Sequence, residues 1–312
     1  MSPNKSSLAD LRTHGVPQLP ARSLSGSVRA FLQQPRTGTV VATFRRSCYL
    51  DFNGQIVALV ASELLNGPLN VVVEALPEYS FQRLPVNTPA MSTPAGIALG
   101  AALFISFAIA ETWPAAITSW TGHTEGRLRT NLALARTVLL REAARDSFAH
   151  ARLRDPMESG EFDETLRVKA HRALRAFAAA FRHRELITLA ESARQLSGLG
   201  PGLTPSGDDV LVGTLLALAV ALPADVEPIR AALMRAVAGR STRISGAYLE
   251  AAARGEASEA WLHLLAILPN GDPVMVTEAV RAVMAVGETS GADTLAGFLL
   301  ALEATGVGSA SR

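Results

Sequence analysis

Val210–Ala221 reads VLVGTLLALAVA. No side chain in it is charged, and a helix drawn through it is apolar on every side. Such a helix belongs in the middle of a bundle, because a surface helix keeps one polar face. The surrounding chain can supply the bundle. Residues 1–90 hold 8 alanines and residues 91–312 hold 45, so the helix-favouring residue is concentrated in the later part. Helices are predicted at Pro94–Glu111, Gly126–His150, Asp163–Arg182, Arg184–Ser197 and Pro205–Leu222. Five more follow at Val226–Ala238, Ser245–Ala253, Ser258–Leu268, Val274–Val286 and Ala292–Ala304.

The first 90 residues read differently. Thr39–Leu50 (TVVATFRRSCYL), Gln55–Ala61 (QIVALVA) and Asn70–Ala75 (NVVVEA) are rich in β-branched residues. Asp51-Phe52-Asn53-Gly54 and Asn66-Gly67-Pro68 supply turns between them. The predicted fold is α+β. A small antiparallel β barrel or sandwich over residues 1–90 precedes a mostly α-helical domain with buried central helices over residues 91–312.

Composition excludes several functions. The chain has 312 residues, 18% charged and 48% apolar, which is not the make-up of a disordered protein. A net charge of +1 argues against a broad electrostatic partner such as nucleic acid or an anionic membrane. Aromatics at 5% are too few for a base-stacking platform. The apolar run near Ala90–Ala110 is firmly hydrophobic over too short a length to span a bilayer and reads as a buried helix. Met1–Pro20 lacks the apolar core of a signal peptide, so a cytoplasmic location is expected. The lone Cys48 allows no intrachain disulfide and reads as a buried structural thiol.

The sharpest feature lies just before the apolar helix. Ser197–Asp209 reads SGLGPGLTPSGDD, with glycines at 198, 200, 202 and 207. Thr204 is placed to cap the helix and Pro205 to open it. A glycine loop running into a helix N-terminus is common machinery for gripping phosphate or carboxylate. It is neither a Walker A loop, which needs a lysine after the last glycine, nor a dinucleotide fingerprint, which needs G-x-G-x-x-G after a strand. No zinc pattern and no Gly-x-Ser-x-Gly elbow is present.

A second segment echoes the first. Ser206–Leu218 (SGDDVLVGTLLAL) and Ser290–Leu302 (SGADTLAGFLLAL) agree at nine of thirteen positions, 84 residues apart. On helical spacing Ser206, Asp209 and Gly213 share a face, as do Ser290, Asp293 and Gly297, while Asp208 points about a quarter turn away. Equivalent positions in the bundle are expected for the two helices. The aspartates admit three uses. They could hydrogen-bond within the loop, hold Mg²⁺ that bridges to a phosphate, or accept hydrogen bonds from a substrate amide or ammonium. The candidate ligand-binding set is Gly200, Gly202, Thr204, Ser206, Gly207, Asp208, Asp209, Arg243, Ser290, Gly291 and Asp293. Asp208 and Asp209 are the candidates for catalysis and for metal. Arg243, or Arg240 beside it, could fork onto an anion. His123 and Glu125, in the polar loop before a long helix, are weaker acid–base candidates. The charged stretch Arg141–Arg154 reads as a solvated helix face.

The run Gly198–Asp209 followed by Val-Leu-Val-Gly resembles the hallmark of a bacterial family described as carboxylases. Ser241-Thr242-Arg243-Ile244-Ser245 and Thr289–Gly297 resemble further motifs of it. That family includes a subunit assigned to oxamate carbamoyltransferase, in allantoin and purine nitrogen catabolism. The resemblance implies carbamoyl transfer between carbamoyl phosphate and oxamate, or a related carboxylation, with other subunits of a hetero-oligomeric enzyme as partners. A homo-oligomer is also compatible with it. A non-catalytic metabolite-binding or scaffold subunit is the alternative. The resemblance carries over no catalytic residue, and Ala292 stands where the first segment has Asp208, so the two tips are not chemically equal.

Overall fold

The computed structural model describes residues 16–74, 79–121, 125–151, 164–221 and 226–307. The chain divides into two units between Ala115 and Ala116.

The first unit is a closed barrel. Its strands are β1 (Gln18–Ser25), β2 (Arg36–Thr43), β3 (Ser47–Phe52), β4 (Gln55–Ala61), β5 (Asn70–Val73), β6 (Pro89–Thr93), β7 (Gly96–Leu99), β8 (Leu103–Ser106) and β9 (Glu111–Trp113), with a short helix α1 (Gly26–Phe31) after β1. The order β5-β4-β3-β2-β6-β7-β8-β1 closes because β1 also pairs with β5. β9 pairs with the far half of β1. Six of the pairings around the barrel are antiparallel, whereas β4–β5 and β1–β8 are parallel. The β3–β4 hairpin turns on Asn53-Gly54, both at positive φ (55° and 100°). That geometry matches the right-handed twist of the flanking strands. The interior is packed by Leu24, Val40, Leu50, Leu59, Val71, Phe81, Ile97 and Ile105, among others. Cys48 lies in that core, and burial pushes its thiol up to about 12, as a structural thiol requires.

One expectation fails in this unit. The apolar stretch predicted as a helix over Pro94–Glu111 is instead β7, β8 and β9, and the strands run past residue 90 to Trp113. Each of β7 and β8 is buried on both faces, so the alternation that marks a half-exposed strand is absent. Short turns at Pro94-Ala95 and at Gly100–Ala102 fold the segment back. At Gly96 an added Cβ would lie 2.2 Å from the Ile105 carbonyl oxygen, so the β7–β8 approach needs glycine there.

The second unit is helical: α2 (Glu125–Glu142), α3 (Phe148–Ala151), α4 (Glu164–His183), α5 (Leu186–Leu196), α6 (Ser206–Ala221), α7 (Glu227–Val237), α8 (Arg243–Ala253), α9 (Glu259–Ile267), α10 (Pro273–Met284) and α11 (Ser290–Thr305). The expected all-apolar helix α6 is buried along nearly its whole length, and α11 is its equal. Each fully buried leucine on them contributes about 1.5–3 kcal/mol. The two helices run side by side, and glycine permits it. A Cβ on Gly213 would sit 1.8 Å from the Thr294 oxygen, and one on Gly297 would sit 2.0 Å from the Val210 oxygen. Gly213 and Gly297 are equivalent positions of the echo, as are Val210 and Thr294. The contact is therefore reciprocal, as a local two-fold relation demands.

Candidate functional site

The reciprocity continues to the helix tips. Ahead of α6, Gly207 passes so close to the end of α5 that a Cβ would lie 2.0 Å from the Leu196 oxygen. Ahead of α11, Gly291 stands in the same relation to α10, 2.1 Å from the Val283 oxygen. Each tip is thus a helix, a glycine-bearing turn and a second helix pressed together. The turn before α6 holds Gly200 and Gly202 at φ 117° and 91°, in the left-handed region that favours glycine. The tips touch through the hydroxyls of Thr204 and Ser290, 2.8 Å apart. Thr204, expected as a cap for α6, spends its hydroxyl on the other tip, and both Asp208 and Asp209 N–H groups donate to the Pro205 carbonyl.

Asp208, Asp209 and Asp293 are 0%, 6% and 0% exposed. Their surroundings differ. Asp208 is enclosed by donors: Ser197 Oγ (3.1 Å), the Gly198 N–H (3.0 Å) and Ser241 Oγ (3.0 Å) donate to Oδ1, and Ser245 Oγ (3.0 Å) donates to Oδ2. It braces the glycine loop against the start of α8, whose cap is Thr242. Its quarter-turn displacement from Asp209, read from helical spacing, is what sends it to these partners.

Asp209 and Asp293 face each other's helix. Ser290 and Thr204 favour the charged form of Asp209, and Ser206 and Thr289 do so for Asp293. The Ser147 hydroxyl (2.6 Å) and the Phe148 N–H (2.7 Å) also donate to Asp293 Oδ1. Burial outweighs this support and pushes both acids up, Asp209 the further because the charges of Asp293 and Asp208 add to it. Oδ2 of each residue is buried without a hydrogen-bond partner. An orphaned buried acceptor is uncommon, and two at matched positions call for a physical reason.

Several expectations are altered. The N–H groups of Gly207, Asp208 and Asp209 at one tip, and of Gly291 and Asp293 at the other, already donate to carbonyls of the chain. An anion at these tips would meet hydroxyls in the main, rather than a row of free N–H groups. The residues present suit Mg²⁺ poorly. Asp208 has donors on both oxygens, and among the described residues no group of three or more His, Cys, Asp or Glu is placed to share a metal ion. Arg243 opens α8 and is exposed, while Arg240 lies in the exposed turn before it. Glu125 is exposed at the start of α2, and His123 lies outside the described residues. Ser147 went unsuspected because Arg141–Arg154 reads as a charged face. The helix in fact stops at Glu142, and Ser147 and Phe148 turn inward. The visible signal was Asp146-Ser147, a helix-stopping pair between two charged stretches.

Thr93-Pro94-Ala95-Gly96, which looks like Thr204-Pro205-Ser206-Gly207, forms the hairpin turn between β6 and β7. The likeness is of turn chemistry alone. No solved structure matches the chain. Residues 196–302 match the family model described as oxamate carbamoyltransferase subunit AllH. That span is about a third of the chain, and it holds all three aspartates, both tips and Arg243. Over residues 196–302, therefore, the chain is similar to the family of oxamate carbamoyltransferase subunit AllH.

Proposed function

We propose that this chain is a subunit of a carbamoyl-transferring enzyme, acting with other subunits, and that the paired tips of α6 and α11 bind its small anionic metabolite. The family match over residues 196–302 carries the reading, because the matched span is the one that builds the tips. The two acids are no obstacle to an anion. Burial favours their neutral forms, so the tips carry less negative charge than the sequence implies. The hydroxyls of Thr204, Ser206 and Ser290 would turn to the ligand from the bonds they make to one another and to the acids, and Arg243 lies at the start of the neighbouring helix. Transfer from carbamoyl phosphate can proceed largely by positioning and by stabilising the charge that develops, which suits tips that have no histidine or cysteine among their described residues. The proposal does not extend to carboxylation or to a resident metal.

The alternative, a binding or scaffold subunit without chemistry of its own, draws support from one observation. The tip N–H groups and Asp208 are consumed in holding the chain together. Thermal unfolding of the full chain, with and without oxamate, carbamoyl phosphate, inorganic phosphate and Mg²⁺, tests both. A rise in Tm with oxamate or carbamoyl phosphate, abolished in Asp209→Ala, is expected. The absence of a shift with any of them removes the metabolite site. Turnover by the isolated chain removes the alternative.

A further inference from the structure

The orphaned oxygens specify the ligand more narrowly than the word anion does. Asp209 Oδ2 and Asp293 Oδ2 come from equivalent positions of two abutting tips, and both are buried with no donor. A carboxylate or phosphate could take the proton of such an acid but would leave its acceptor lone pairs without a donor. What fits is a group with two N–H donors close together on one atom. Lysine-like ammonium would also donate. A cation there would need the two acids in their charged forms, and burial favours the neutral ones. A neutral acid can donate its own proton to a carbonyl, which complements an amide on both its edges.

We propose that Asp209 and Asp293 together form a receptor for a primary amide or carbamoyl group, each Oδ2 accepting one N–H of the same NH₂. The proposal rests on the functional reading above in placing the ligand at the tips, and it assigns the amide end of the metabolite to the acids. The anionic end is left to the hydroxyls of the Thr204–Ser206 turn. Asp208, whose oxygens are taken, is excluded from the receptor. The two acids are positioning residues in this account, and no covalent step is assigned to them.

Calorimetric titration of the full chain with oxamate, oxalate and N,N-dimethyloxamate tests it. Oxalate keeps the size and planarity of oxamate but replaces NH₂ by an acceptor, and the dimethyl compound removes both N–H donors. Oxamate is expected to bind at least about ten-fold tighter than either. Asp209→Asn and Asp293→Asn should each weaken oxamate by a similar factor, with circular dichroism reporting whether they fold. Should a variant not fold, the analogue series on the unaltered chain still decides.

Equal binding of all three compounds overturns the amide receptor and leaves the carbamoyl-transfer reading standing. Binding of malonamide, but of neither oxamate nor carbamoyl phosphate, supports the receptor and sinks that reading. If no amide binds, the receptor is overturned, and a proton shared between the two acids accounts for their arrangement.

Discussion

The tip of α6 and the tip of α11 share a glycine framework and differ in one buried residue. Both have a glycine that presses the tip onto the preceding helix, a serine and an aspartate facing across, and a glycine seven residues into the helix. At the third position one tip has Asp208 and the other Ala292. The difference shows in what each tip is tied to. Asp208 collects three serine hydroxyls and a backbone N–H, and so fixes the glycine loop and the start of α8. The α11 tip has no such hub. Its aspartate is braced instead from Ser147 and Phe148. Two copies of one motif thus retain the paired acids while dividing the labour of support. One copy organises a loop, and the other is held by a distant turn.

The shared framework gives the largest expected effects. Gly213→Ala and Gly297→Ala each drive a methyl into a backbone oxygen of the partner helix, and each should cost about 3 kcal/mol or more. Chemical denaturation should return similar losses for the two, and a loss in only one would break the two-fold relation. Gly246→Ala, on α8 with nothing within 4 Å, is the contrast and should be neutral or slightly stabilising.

The asymmetric position comes next. Asp208→Ala strands four donors and should cost about 2–3 kcal/mol. Ala292→Asp places a carboxylate in a buried site that lacks those donors, and should be at least as damaging. If Ala292→Asp were tolerated, the tips would be chemically interchangeable after all.

A third comparison is electrostatic. Each raised carboxyl binds its proton more tightly in the fold than in the unfolded chain. The associated stability is therefore full below the unfolded carboxylate range and is lost as pH rises toward the folded value. Asp209→Asn should flatten the decline of stability on raising pH, and Asp293→Asn should do so less, because Asp209 is pushed further. Urea midpoints measured across the acidic range would check this, and an unchanged slope in Asp209→Asn would count against it. Smallest is Ser147→Ala. Asp293 Oδ1 keeps the Phe148 N–H, so about 1 kcal/mol should be lost.

Much of this was legible in advance, for local reasons. The Asn53-Gly54 turn follows from residues that accept positive φ. The helices from Gly126 onward were placed to within a few residues, apart from the end of α2, because their apolar spacing and caps are local signals. The face shared by Ser206, Asp209 and Gly213, the matching face of Ser290, Asp293 and Gly297, and the turning away of Asp208 follow from 100° per residue. The segment after Pro94 was misread because a run buried on both faces has no period to distinguish strand from helix. Ser147 was missed because its partner lies 146 residues away.

The sequence by itself determined a β unit followed by helices, an all-apolar central helix, and a repeated motif with an acid at each tip. These depend on periodicity, turn chemistry and internal likeness, which are properties of short segments. Only the tertiary structure decided that eight strands close into a barrel, that α6 and α11 lie glycine against backbone, and that Asp208 is spent on the fold. The same holds for the orphaned oxygens of Asp209 and Asp293, since a hydrogen bond made or missing depends on groups far apart in the chain meeting in space.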